Sequence, residues 1–166
     1  DLYPLQRLIG RPITWAALLT FPGIDYRALA ELNAKERAAG ANVWPQVSPR
    51  PLTFEITMED PFSFASASLV AELIGKPREH RIACYRDAEW RRRAEAQLAG
   101  IVLRPRWDTF RVSESPAHPE LEGRSLSELA RERGGSAFDA LCALACDEDL
   151  RPRFRQTLGN DDGEGV

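Results

Sequence analysis

The chain has 166 residues, 43% of them hydrophobic, and a formal charge of -3 from 22 basic and 25 acidic side chains. That length can bury a core of its own, and the weak acidity excludes an overall electrostatic pull toward nucleic acid or acidic membranes. No apolar run approaches the roughly 18 residues that cross a bilayer, and the first residues have neither the basic start nor the apolar run of a signal peptide.

Three cysteines, Cys84, Cys142 and Cys146, do not suit a disulfide framework and suit a reducing, cytoplasmic compartment. Cys142 and Cys146 stand four apart on an apolar helical pattern and read as core residues rather than metal ligands.

In chain order, residues 1–12 give no clear element. Residues 13–19, ITWAALL, have the continuous apolar character of a strand buried on both faces. Phe21, Pro22 and Gly23 mark a turn. Asp25 is placed to cap a helix that ends at Gly40, with Tyr26, Leu29, Ala30, Leu32 and Ala39 as its packing face. A second strand follows over 41–47, so strand, helix and strand read as a parallel βαβ crossover.

That strand runs into Gln46, Ser48 and Arg50, bracketed by Pro49 and Pro51. Polar groups at the C-terminal end of a parallel strand are where α/β proteins place ligands. In an extended chain the three side chains share one side. There Arg50 can clamp a carboxylate and Gln46 can hydrogen-bond an amide, unless Arg50 pairs with Glu55 or Glu59. Ser48 has no visible base partner and is not read as a nucleophile.

Residues 52–58 alternate weakly, as an edge strand or an extended loop. An aromatic turn leads into a short helix near 68–74. Phe54, Phe62 and Phe64 can form a pocket wall or a small core, with the core favoured. Residues 76–100 read as two charged helices divided near Arg86 and Asp87, the second carrying an apolar stripe of Trp90, Ala94 and Leu98. The run Arg91, Arg92 and Arg93 reads as a solvated helix face. Residues 107–113 resemble a strand. Ser125 and Glu128 form a capping box, and Ser136 caps the following apolar helix. Residues 153–158 read as a last strand before a polar tail with Asp161, Asp162 and Glu164.

His80 reads as a surface residue, and His118, in an acidic loop, is a weak site candidate. Neither belongs to an HxH, HExxH or CxxC pattern, and the chain has no GxSxG elbow or P-loop. No catalytic residue is assigned from the sequence.

The run IDYRALAELNAKERAAGANVWPQVSPRPLTFEITMEDPFSF resembles the middle of amidohydrolase-superfamily N-acyl-D-amino-acid deacylases, the D-aminoacylases. HPELEGRSLSELARERGGSAFDALCALACDEDLRPRF resembles their helical section, and LGNDDGEGV resembles the segment before their last catalytic strand. The resemblance implies part of a metal-dependent (β/α)8 TIM barrel in an α/β protein, hydrolysing a non-peptide C–N bond such as that of an N-acyl-D-amino acid. By the same token 1–52 is a barrel βαβ segment, 53–118 an inserted excursion shaping substrate access, and 119–166 a helical pair returning to the barrel. Zinc is implied for the family, but the chain lacks the HxH motif and the catalytic aspartate segment, so no metal ligand within it is supported. The expectation is therefore a fragment inactive alone. Its partners are a small-molecule substrate, bound by Gln46, Ser48 and Arg50, and the remaining parts of the same barrel. Homo-oligomerisation stays open, because broken-barrel surfaces and natural interfaces share an apolar signature. The alternative is a noncatalytic α/β module that binds a small molecule or a partner.

Overall fold

The computed structural model describes residues 2–21 and 25–161. The turn read at Pro22 and Gly23 and the tail from residue 162 onward lie outside the described residues. The chain divides into two compact units, Asp1–Leu52 with Gly159–Val166, and Thr53–Leu158.

In the first unit, α1 (Leu2–Ile9) leads into β1 (Ile13–Leu18), α2 (Tyr26–Ala38) and β2 (Val43–Val47). The Asp25 carboxylate caps α2, accepting from the amides of Arg27 and Ala28 at 3.0 and 3.3 Å. Gly40, at φ 91°, turns the chain out of the helix where a side chain would be strained. β1 and β2 pair in parallel, with Ile13 opposite Val43 and Trp15 opposite Pro45. The local strand–helix–strand reading is therefore present.

Residues 1–12, which carry no clear sequence signal, form α1. This helix faces its unit with polar groups. Gln6 is buried, donating to the Arg11 carbonyl at 3.3 Å and accepting from the Asn42 amide at 3.0 Å. Tyr3 donates to Asn33 at 3.3 Å, and Arg7 meets Glu36 at 2.6 Å. Leu2, Leu5, Leu8 and Ile9 are exposed. On α2 the packing face also differs from the sequence reading, since Asn33 is buried while Leu29 and Leu32 are exposed. The buried apolar residues of this unit, among those described, are Ala41 and Val43.

The second unit carries β3 (Leu52–Ile56), a short 3-10 turn at Phe62–Phe64, and the helices α3 (Ser68–Ala71), α4 (Arg78–Arg86) and α5 (Ala88–Gly100). There follow β4 (Arg111–Glu114), a 3-10 turn at Pro119–Leu121, α6 (Leu126–Arg133), α7 (Ala137–Asp147) and β5 (Arg153–Gly159). The three strands form one sheet in the order β3-β5-β4, with β4 and β5 antiparallel. Strand alternation puts Phe54, Ile56, Val112, Phe154 and Leu158 on the inner face and Glu55, Arg111, Arg153 and Arg155 on the outer one. Helix α7 is buried nearly all round, Cys142 and Cys146 included, and packs with α4, α5 and α6. Phe64, Phe110 and Phe138 are fully buried and cluster with Trp107 at centroid separations of 5.0 to 6.3 Å. Both helices of the pair carry capping boxes, Ser125 with Glu128 and Ser136 with Asp139.

The barrel expectation is corrected. The described strands make two open sheets, of two and three strands, and β3 joins β5 and β4 instead of extending the β1–β2 pair. The fold is α/β but not a (β/α)8 barrel. Pro45 within β2 carries the physical reason, because proline donates no ladder hydrogen bond and belongs on an edge strand, not a central one.

Candidate functional site

An opening in the second unit lies where the aromatic turn after β3 meets the end of α5. Helix α5 stops at Gly100 and the chain leaves it extended at Ile101. Ile101, Val102 and Leu103 form one wall, Phe54 and Phe62 the other, and Leu158 of β5 contributes from the inner face of the sheet. The cleft holds about 700 Å³, within the range of small-molecule sites. Phe54 and Phe62 meet edge to face, with centroids 5.6 Å apart and planes at 85°, an arrangement that fixes the ring faces of the wall. Val102 is 89% exposed, so this wall holds apolar surface against water.

The turn sorts its aromatic residues. Phe62 lines the cleft while Phe64 is fully buried against Trp107, Phe110 and Phe138. The two readings of the Phe54, Phe62 and Phe64 cluster thus apply to different members. Polar character in the cleft comes from Ser63 and Ser66. The Ser63 hydroxyl is buried with no hydrogen-bond partner. No lining residue is titratable, so the cleft offers no proton acceptor to activate a hydroxyl and no charge to hold an ionic ligand. Ile101, Val102 and Leu103 were missed in the sequence, although three consecutive apolar residues just after a helix end are a readable signal.

Gln46, Ser48 and Arg50 lie in the first unit. Gln46 and Arg50 are exposed and Ser48 is half-buried. The Ser48 hydroxyl donates to the Arg50 carbonyl at 3.1 Å and accepts from the Arg50 amide at 3.3 Å, a local turn that uses the group on its own backbone. The two acids read as possible partners of Arg50 meet other arginines within the second unit. Glu55 meets Arg155 at 3.2 Å, and Glu59 meets Arg78 at 2.9 Å and Arg81 at 3.1 Å. A cavity of about 120 Å³ beside the ends of β1 and β2 is lined by Ser48, Thr20, Tyr26 and Asn160, but by neither Gln46 nor Arg50. Asn160 spans it, accepting from the Thr20 amide at 2.8 Å and donating to the Ser48 carbonyl at 3.0 Å.

None of the other candidates lines the cleft. His118 is half-buried and 3.3 Å from Glu120. His80 is exposed, 3.9 Å from the Cys84 sulfur. Burial pushes the thiols of Cys84, Cys142 and Cys146 above their ordinary value, the opposite of an activated cysteine. The buried Glu148 carboxylate accepts from the Ser115 hydroxyl and from the Ala117 amide, which ties down the loop leading to His118. Among the described residues no group of three or more His, Cys, Asp and Glu side chains is placed to hold a metal ion, and no helix is long and apolar enough to cross a membrane.

No family model, no curated protein and no solved structure matches the chain. The resemblance to D-aminoacylases therefore does not carry a family assignment, and the two small open sheets lack the barrel that the family requires. The reading as a zinc amidohydrolase fragment is corrected on the same grounds, with no barrel rim and no ligand cluster among the described residues.

Proposed function

We propose that this chain is a noncatalytic α/β binding module whose cleft between Phe54, Phe62, Val102 and Leu158 takes a small, uncharged, mostly apolar molecule. The observation that carries this reading is the lining, which is apolar and aromatic, with two hydroxyls and no titratable group. Burying apolar ligand surface there is favourable by about 25 cal/mol per Å², and the unpartnered Ser63 hydroxyl favours a ligand with one carbonyl or ether oxygen.

The test is titration of the full chain with a neutral solvatochromic dye such as Nile red, with amide chemical shifts recorded in parallel. Saturable binding with shifts at residues 54, 62–66, 100–103 and 158 is the expected result, weakened by V102D, which puts a charge on the wall. Absence of saturable binding, or shifts elsewhere with V102D inert, rejects the cleft as the site. A second reading, a module that binds another polypeptide, is favoured by the exposed Leu2, Leu5, Leu8 and Ile9 of α1. Dye-induced shifts confined to α1 would support it instead.

A further inference from the structure

On the outer face of the three-stranded sheet, two guanidinium groups stand across from one another. Arg111 of β4 and Arg155 of β5 are direct cross-strand partners. Like charges in that position destabilise a ladder, so the pair needs a reason. Glu55 takes one donor of Arg155 at 3.2 Å. Arg111 donates to the Gly123 carbonyl at 3.3 Å and forms no ion pair among the described residues. Glu128, whose carboxylate feels the Arg111 charge, accepts from the Ser125 amide at 2.8 Å. Both guanidinium groups are thus oriented by one contact each, and each retains further donors.

Between them is a cavity of about 190 Å³ lined by Arg111, Val112, Ser113, Gly123 and Arg155. The ladder register shifts between Val112 and Glu114, so Ser113 is the bulged residue, and bulges re-aim side chains at sites. The Ser113 hydroxyl is buried and has no hydrogen-bond partner. Two fixed cations and one unused hydroxyl around a single cavity form a donor set. The turn at Gly123 closes its side through the bond from the Gly123 amide to the Val112 carbonyl at 2.8 Å.

We propose that Arg111, Arg155 and Ser113 form a binding site for a phosphate group. A carboxylate would engage one guanidinium fork. A tetrahedral dianion presents enough oxygens to accept from both arginines and from the serine, and it offsets the like-charge pair. This site is on the opposite face of the sheet from the apolar cleft and does not depend on it.

The experiment follows thermal unfolding and amide shifts of the full chain at constant ionic strength, replacing sodium chloride by inorganic phosphate or by phenyl phosphate. The expected result is saturable shifts at residues 111–113, 123 and 155, with a rise in Tm that R111Q abolishes. R111Q should weaken binding by about tenfold or more, as loss of a charge-assisted contact does, and S113A by less. In phosphate-free buffer R111Q should unfold no more easily than the native chain, because it relieves the repulsion, so a lost response is not a lost fold. R155Q serves the same purpose if R111Q does not fold. Binding of both ligands identifies the terminal phosphate of a larger molecule as the source, and binding of inorganic phosphate alone identifies the free ion. An equal rise in Tm for the native chain and both variants, or no saturable shift at these amides, overturns the proposal.

Discussion

Gln156 lies on the inner face of β5, 1% exposed, and neither its amide oxygen nor its nitrogen has a hydrogen-bond partner. A buried unpaired amide costs free energy that an apolar group of equal size does not. Q156M, close in volume, should therefore raise the unfolding free energy by about 1–2 kcal/mol, read as a higher urea midpoint at unchanged slope. A lower midpoint would show that the amide is satisfied in solution. Ionisable residues in the same core make a second prediction. Burial raises the Tyr85 phenol, with Cys142 adding to the effect, and raises the Cys142 thiol well above its ordinary value. In the unfolded chain these groups ionise near about 10 and about 8.5, while the folded chain keeps its protons, so above those values the unfolded state binds fewer protons and stability falls as pH rises. Under reducing conditions these groups leave the thermal midpoint unchanged from neutral pH to about pH 8 and lower it beyond. C142A should make that decline shallower, with Cys84 and Cys146 still setting its onset, and an unchanged slope in C142A would count against the assignment.

Among the elements, α7 is fixed at its start by reciprocal bonds. The Ser136 hydroxyl accepts from the Asp139 amide at 3.1 Å, and the Asp139 carboxylate accepts from the Ser136 amide at 3.1 Å. Burial tends to raise the Asp139 carboxyl, but the Ser136 amide and the Arg91 guanidinium outweigh it and hold it below the ordinary value. Its contribution is therefore present above about pH 4 and is lost as pH falls through the lowered folded value. Arg91 reaches Asp139 at 2.6 Å and also donates to the carbonyls of Tyr85 and Arg86 at 3.0 and 2.9 Å, joining the end of α4 to the start of α7. Arg92, beside it, meets Glu89 on its own helix and no other acid among the described residues. R91A should cost about 1–3 kcal/mol and R92A less than about 0.5 kcal/mol, compared in urea unfolding. Equal effects would remove Arg91 from its joining role. The capping boxes were legible because their spacing is local and its chemistry is backbone chemistry. The inward turn of Arg91 was not, because a run of three arginines does not reveal which one finds a carboxylate far along the chain. Pro45 is readable as an argument against a central strand, but the strand–helix–strand reading did not draw on it. The cleft was half legible, in Phe54 and Phe62. The wall at 101–103 and the face shared by Arg111 and Arg155 depend on which strands become neighbours, a long-range pairing that no local period contains.

At the scale of the molecule, apolar burial is divided very unequally between the units. The continuous core, from Ile56 to Phe154, belongs to Thr53–Leu158. The first unit buries only Ala41 and Val43 among its described apolar residues, and its elements are joined instead by polar contacts such as Tyr3 with Asn33, Gln6 with Asn42, and Asn160 with Thr20 and Ser48. A typical intramolecular hydrogen bond contributes a net of only about 1 kcal/mol, whereas a buried leucine or phenylalanine contributes about 1.5–3 kcal/mol. Opening free energies should differ accordingly. Hydrogen exchange on the full chain should show amides of α5, α7 and β5 protected to the global limit, while those of α1, β1 and β2 exchange orders of magnitude sooner. The end of β5 sharpens the test. A Cβ on Gly159 would collide with the Thr20 carbonyl and the Phe21 ring, so G159A should speed exchange in β1 and β2 and leave α7 unchanged. Uniform protection across both units, or acceleration reaching α7, would show that the first unit is held by more than its polar contacts.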